Sequence, residues 1–481
     1  MAQHHGMNEL EGLAAFCHYG HEPTDGDRFG RLFSLPPLNT SPDDLRALGE
    51  QGGPMDGGST FDRTDSVSVG QIFFGQFIDH DITLDTTTSL SSVARAGEVT
   101  NVRTPTLDLD NVYGMGPEAS PFLFRGGRRD FADVKLLTAS DGTAVDQPDK
   151  FTEHDLWRSP DGTAVIGDPR NDENRVISQL QLAMIRFHNA IVDVLYEEEE
   201  LEGPELFEEA RRLARWHYQY VVVEDYLPAI CGQAVVDRIK GQGRQFYCPR
   251  TETPFIPIEF SVAGYRFGHS MMPQEVQVQK GAESHDLFGK TFGIGFRPLD
   301  TEEAIVDWHE LVETDAHRSV QHAEELDTRL ATDLLDLPFI REGESSLATR
   351  NLLRGQTFLL PSGEEVARAM GRPDDEIERV AEEARELAEP AADLAGGIPL
   401  WFYVLTEAEE IGRETEPGQF EDGEGLGPVG AQIVAETLYG LIELDDRSYL
   451  ATNRNWDPAV DGVGPETLGE MLTFGQPECM P

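Results

Sequence analysis

The sequence predicts a mainly α-helical fold, one large helical domain with long loops and few short strands. Three observations carry that expectation. Apolar residues recur at helical spacing over long stretches, as in Val176, Leu180, Ala183, Phe187 and Ile191. Strand-like alternation is brief wherever it occurs, and no internal repeat is present. The chain has 481 residues, 39% of them hydrophobic, which is ample for one large core.

Residues 1–60 are rich in Gly, Pro and Asp and read as an irregular N-terminal arm, with F-G-R-L-F-S-L-P-P-L (29–38) as its packed part. The domain is expected over 61–445, with 446–481 as a C-terminal extension packed on it. The first strong helix is expected from Asp65 to about Thr83. Residues 86–165 read as loops and turns. Long helices are expected from Glu173 to about Glu200, from Pro204 to about Tyr226, and over Pro254–Met272, before Pro273. Shorter helices fall at about 302–312, 362–371, 375–388, 399–411 and 427–443.

Charge is the strongest compositional signal: 88 acidic against 38 basic residues, a formal net of −50. Lysine occurs only at 135, 150, 240, 280 and 290, so arginine supplies nearly all positive charge. Such a surface argues against nucleic acid and anionic membranes as partners. It suits a protein kept soluble in molar salt, where screening removes self-repulsion, so a halophilic source is expected. The acidic segment 374–387 reads as a solvated helix face. Cysteines at 17, 231, 248 and 479 have no zinc-like spacing. With no signal-peptide pattern and no apolar run long enough to span a bilayer, a cytoplasmic protein is expected.

The chemistry centres on G-Q-F-I-D-H-D-I-T-L (75–84). At helical spacing Phe73, Gln76, Phe77 and His80 share one face. Burying Asp79, His80 and Asp81 in so apolar a helix is costly unless each finds a cation, a hydrogen bond or a covalent bond. In T-P-T-L-D-L-D-N-V-Y-G (104–114), oxygen side chains alternate at Thr104, Thr106, Asp108 and Asp110. A bent loop can aim them at one hard cation, and Ca2+ takes about six to eight oxygens. An ordinary polar turn is the plainer reading of that segment alone. I-G-D-P-R-N-D-E-N-R (166–175) leads into a long helix, with Asp172 or Asn171 as its N-cap and Arg170–Glu173 as a surface ion pair. In Y-R-F-G-H (265–269), His269 is either a satisfied core histidine or an axial haem ligand, with Gly268 making room for a planar macrocycle. N-L-L-R (351–354) places Asn351 and Arg354 three apart.

Together these motifs, in this order, resemble the animal-type haem peroxidases of the peroxidase–cyclooxygenase superfamily, in a bacterial or archaeal version. F-G-R-L-F (29–33), F-H-N-A (187–190) and E-D-Y-L-P (224–228) add to the likeness. The resemblance implies haem b as cofactor, hydrogen peroxide and small electron donors as partners, and a role in the response to oxidative stress. It implies His80 as distal base, with Arg170 and Gln76 as its catalytic companions. His269 is then the proximal iron ligand, Asn351 its hydrogen-bond partner, and Arg266 and Arg354 the propionate holders. Asp79 and Glu173 match carboxylates that form esters with haem, and Asp81, Thr104, Thr106, Asp108 and Asp110 match a calcium site. Asn174 stands where some members carry a Met that adds a third haem linkage, so chloride oxidation is not expected.

Three other readings compete. A fatty-acid dioxygenase on the same scaffold would use Tyr265 or another Tyr as radical carrier. A haem-binding protein without catalysis is the second. The third takes His80–Asp81 as the metal pair of a phosphohydrolase.

Overall fold

The computed structural model describes residues 28–59, 62–85, 88–90, 92–126, 134–250, 252–314, 318–460 and 462–476. Cys17 and Cys479 lie outside them, as do residues 1–27 of the expected arm.

The helix around which the site is built starts later than periodicity suggests. Residues Arg63–Ser68 form a strand paired antiparallel with His322–Glu324. Thr64 and Val67 favour extended backbone, and the partner strand supplies ladder bonds that a helix would forgo. Ser68 then caps helix α2 (Val69–Ile82), following helix α1 (Pro42–Gly49). Its hydroxyl accepts from Gln71 N while the Gln71 side chain accepts from Ser68 N, a reciprocal capping box. Helix α2 is apolar on nearly every side and is therefore buried rather than laid on the surface.

Helix α3 (Arg175–Glu199) packs on α4 (Gly203–Val221), whose last turn widens into a π-helical turn over Val222–Tyr226. The N-cap of α3 is Asn174, whose side chain accepts from Ile177 N at 2.9 Å, not Asp172 or Asn171. After α5 (Gln233–Gln242) the expected helix over 254–272 is broken. A short helix, Ile258–Val262, ends where Ala263 leaves helical geometry (φ −130, ψ −73). A 3-10 turn, Gly264–His269, follows. Pro254 and Pro257 exclude a continuous helix upstream. Helices α7 (Gly363–Ala369), α8 (Asp374–Ala388), α9 (Leu400–Glu410) and α10 (Pro428–Glu443) lie close to their expected limits. By contrast, α6 (Leu347–Thr357) has no counterpart among the expected helices, and 302–312 forms only a 3-10 turn, Glu302–Ala304, and one helical turn, Trp308–Leu311.

Among the described residues the strands pair only in twos, so the expected mainly helical class holds. Phe29, Phe33, Leu45, Leu48 and Met55 join the same core as α2, as do Tyr449, Trp456, Leu468 and Met471 from the C-terminal stretch. The stretch read as an irregular arm thus contributes a helix, α1, and core residues. No described helix is long and apolar enough to cross a membrane.

Candidate active site

Helix α2 turns Ile72, Phe73, Gln76, Asp79 and His80 onto one cavity of about 490 Å³. Spacings of three and four residues put all five on one side of the helix. Phe77 is buried behind it. His80 is 4% exposed, and its Nδ1 lies 2.7 Å from Asn171 Oδ1.

Arg170 is buried rather than paired with Glu173 at the surface. It donates to the His80 carbonyl at 2.8 Å and clasps Asp168 through Nε and Nη2. Arg103 grips the same Asp168 from the other side. Burial would raise the Asp168 carboxyl, but Arg103 and then Arg170 override it and hold it well below the ordinary carboxylate range. Asp168 also caps the 3-10 turn Pro169–Asp172 by accepting from Arg170 N at 2.8 Å. Arg170 is not among the cavity-lining residues; it braces the helix end behind His80.

Glu173 lines the cavity and accepts from the Gln76 amide. Burial pushes its carboxyl up to about 8, assisted by Asp168 and Asp79 and opposed by Arg170. Asp79 lines the same wall, its Oδ1 held by the Thr83 hydroxyl at 2.7 Å. Unfolding would return Glu173 from about 8 to its ordinary 4.5. Between those values the folded chain binds a proton that the unfolded chain does not, so haem-free protein loses stability as pH rises through that window. Glu173→Gln is expected to remove that slope, measured as urea midpoints at the two ends of the window. A slope that persists in the variant would assign it to other groups.

The segment that carries Glu173 is held from two sides, and neither hold is visible in the sequence. Arg158, fully buried, makes two hydrogen bonds of 2.7 and 2.8 Å to Asp172 and further ones to Asp155. Breaking so buried a pair would leave an uncompensated charge. On the other side, Gly295 N donates to Glu173 O at 3.1 Å and Phe296 N to Asp172 O at 2.7 Å. A Cβ at Gly295 would stand 1.8 Å from the Asp172 carbonyl, so only glycine lets this loop approach. Leu287, Phe288, Ile294 and Phe296 from that loop form an apolar wall.

The other histidine comes from the 3-10 turn. With three residues per turn, Arg266 and His269 lie one above the other, and both line the cavity. His269 Nδ1 lies 2.8 Å from the Asn351 amide nitrogen on α6, whose Oδ1 accepts from Arg266 at 3.3 Å. One turn on, Arg354 donates to the Thr88 hydroxyl and is buried but does not line the cavity. Burial, and then Arg266, push its guanidinium down to about 10. Both guanidinium groups still carry charge at neutral pH, and such a cation pair is a place for an anionic group. Tyr265 and Tyr226 also face the cavity, their hydroxyls 3.2 Å apart.

These residues fit haem. The donor set pairs an imidazole backed by an amide with a second imidazole, cations and apolar walls. Gly268 also lines the cavity, and a Cβ there would meet only Ile72, at 3.5 Å, so its missing side chain adds room.

Behind α2, ligand oxygens of Asp81, Asp108 and Asp110 lie within 4.8 Å of one another, where each ionised pair repels by about 3 kcal/mol at an effective dielectric of ~20. Burial raises the carboxyls of Asp81 and Asp108, and takes Asp110 up to about 7. Thr104 Oγ1 reaches Asp108 at 3.1 Å and Asp110 at 3.4 Å, and Thr106 sits half-buried in the same loop. Leu109, at φ 61, adopts left-handed backbone, and its N–H meets Asp81 Oδ2 at 3.2 Å. Arg103 ties this loop to the distal segment, bonding Asp110 at 3.1 Å as well as Asp168. Among the described residues this is the one cluster with metal-ligand spacing, and His80 is not part of it.

The sequence profile of the animal haem peroxidases matches residues 85–379. The chain belongs to the animal haem peroxidase family. This peroxidase-family chain is 32% identical over 187 residues to chorion peroxidase of Drosophila melanogaster, covering 36% of this chain and 22% of that protein. With dual oxidase 1 of Caenorhabditis elegans it shares 24% over 272 residues, 54% of this chain and 18% of the relative. The chain thus spans about a fifth of the length of these two relatives. Peroxidase A from Dictyostelium discoideum has the same fold, with TM-score 0.61 and 16% identity over 94% of this chain and 93% of the other. So does a fatty acid alpha-dioxygenase from Arabidopsis thaliana, at TM-score 0.59 and 17% identity over 93% and 77% of the two chains. The profile match begins after α2, so the placement of Gln76, Asp79, His80 and Asp81 rests on the geometry above.

Proposed function

We propose that this protein is a haem peroxidase that reduces hydrogen peroxide and oxidises small donors. The observation that carries it is the pair of histidines from separate elements facing one cavity, each anchored through Nδ1 by an asparagine amide. His269 would hold haem b, with the Asn351 side chain turned to present its oxygen to Nδ1–H so that Nε2 is left for the iron. Haem, when bound, supplies the redox chemistry. His80 takes a proton from hydrogen peroxide and returns it to the departing oxygen. Arg170 supplies positive charge behind His80, and its bond to the His80 carbonyl keeps the ring in place. Arg266, on the cavity wall, and Arg354 behind it hold the propionates.

Asp79 and Glu173 would hold the macrocycle as esters to its methyl groups, which removes two acids from an apolar wall. Each ester forms as a methyl C–H bond is lost and hydrogen peroxide, the two-electron oxidant, is reduced to water. Acidified organic solvent should then strip haem from the Asp79→Val/Glu173→Gln double variant and leave it in peroxide-treated wild type. Extraction from both sinks the attachment.

Donors are phenols, with iodide, bromide and thiocyanate admitted past Gln76. A Soret band that changes on adding peroxide, with phenol turnover, is the test of the reading. Phenol oxidation without halide activity would remove the anion half.

Asp81, Asp108, Asp110, Thr104 and Thr106 bind Ca2+, which offsets the repulsion among buried carboxylates. The Asp108→Ala/Asp110→Ala variant is expected to lose the ion and, because Asp81 adjoins His80, to damage the haem site. Elemental analysis that finds no calcium in wild type overturns this.

The second reading is a fatty-acid dioxygenase, favoured by the apolar loop wall and the Tyr265–Tyr226 pair in the cavity. Oxygen uptake with a fatty acid and no added peroxide would decide for it.

A further inference from the structure

The two nitrogens of the His80 ring have different tasks, and which one carries the proton is decided behind the ring. Nδ1 lies 2.7 Å from Asn171 Oδ1. Asn171 Nδ2 donates to Gln181 Oε1 on α3 at 2.7 Å, and Gln181 Nε2 donates to the main-chain carbonyl of Asn111 at 3.4 Å. Asn171, Gln181 and Asn111 are all fully buried. A main-chain carbonyl can only accept, so the Asn111 oxygen requires the NH2 of Gln181. That turns Gln181 Oε1 towards Asn171, draws the Asn171 NH2 to it, and leaves Oδ1 for His80. An amide oxygen likewise only accepts, so the proton must sit on His80 Nδ1. The polarity is set at the far end of the chain and does not depend on how either amide alone is oriented.

We propose that Asn171 is a positioning residue that holds His80 as the Nδ1–H tautomer, with its orientation imposed by Gln181, which does not bond His80. Nε2 is then the nitrogen with a lone pair for the peroxide proton. The inference rests on the reading of His80 as distal base and adds what makes it one. An unbiased ring would divide between two tautomers, and only one of them can accept a proton through Nε2. In the serine-protease triad the wrong tautomer costs about 10⁴ in rate. Division between tautomers alone would cost only about twofold, but the Asn171 oxygen also holds the imidazolium that forms as Nε2 takes the proton. Losing that charge-assisted bond brings the expected fall to roughly 10- to 100-fold.

The test uses haem-loaded protein and two readouts, the peroxide rate by stopped flow and the C–O stretch of the ferrous carbon monoxide complex. A lone pair on Nε2 facing the bound gas keeps that stretch high, whereas an N–H donating to it moves it down. Asn171→Leu and Gln181→Leu should each lower the stretch and slow the peroxide rate. Gln181→Glu should restore both: a buried carboxyl stays protonated and offers an oxygen to Asn171 and an O–H to the Asn111 carbonyl. A merely structural role would move rate and haem content together and leave the stretch unmoved. Wild-type stretches in both leucine variants overturn the proposal, as does a Gln181→Glu variant no better than Gln181→Leu. An intact peroxide rate in His80→Ala would instead overturn the peroxidase reading, whatever the stretch shows.

Discussion

His269→Ala is expected to abolish the Soret band of the purified protein. Both cavity histidines are backed by an asparagine side chain, but His269 is the one beside Arg266 on the cavity wall and next to Gly268, the setting of an axial ligand. Removing an outer partner of a metal ligand costs about 10- to 100-fold in affinity, so Asn351→Leu should weaken haem retention by that order and His269→Ala by more. The ranking matters because a general loss of packing would not produce it. Asn351 lies on α6 and His269 on a separate 3-10 turn, 82 residues apart in sequence. Haem content in His269→Ala equal to wild type would place the ligand elsewhere, and the assignment would fail.

His80→Ala should keep haem yet react with peroxide more slowly by ~100-fold or more, the range that a positioned acid–base contributes. His80 is buried but faces the cavity, and its removal leaves Asn171 without a donor rather than leaving a charge unpaired. The cost to stability should therefore be about 1–3 kcal/mol, that of one orphaned buried polar group. Rate and stability thus separate: the chemistry falls by orders of magnitude while the fold persists. A variant within about twofold of wild type in the peroxide step would make His80 a structural histidine.

Much of this protein is legible from its sequence because much of it is local. Helices α3 and α7 to α10 carry their own periodicity, α3 and α7 also their own side-chain caps, and they fall close to where spacing puts them. Helical spacing likewise turns Gln76, Asp79 and His80 to one side without help from the rest of the chain. The spacing of Asp108 and Asp110 by itself is read more plainly as a polar turn, and only the resemblance joins Asp81 to them, three carboxylates that the structure brings together.

What failed locally failed where distant chain decides. Residues 65–68 are helical by pattern but extended by partnership with His322–Glu324. Residues 254–272 are apolar enough for one helix, yet the chain breaks at Ala263 and re-forms as the turn that carries His269. Asn171 looks like a helix cap and is instead the acceptor for His80, 91 residues away. Arg158 and Gly295 give no signal at all, since a buried ion pair and a close backbone approach exist only between segments already folded together. The sequence by itself determined the helical class, the face of α2 and the residue types from which the site is made. Only the tertiary structure decided which nitrogen of His80 carries its proton and which carboxylates crowd together. Periodicity is a property of neighbouring residues, whereas the partner of a buried polar group is whichever segment the fold brings within about 3 Å of it.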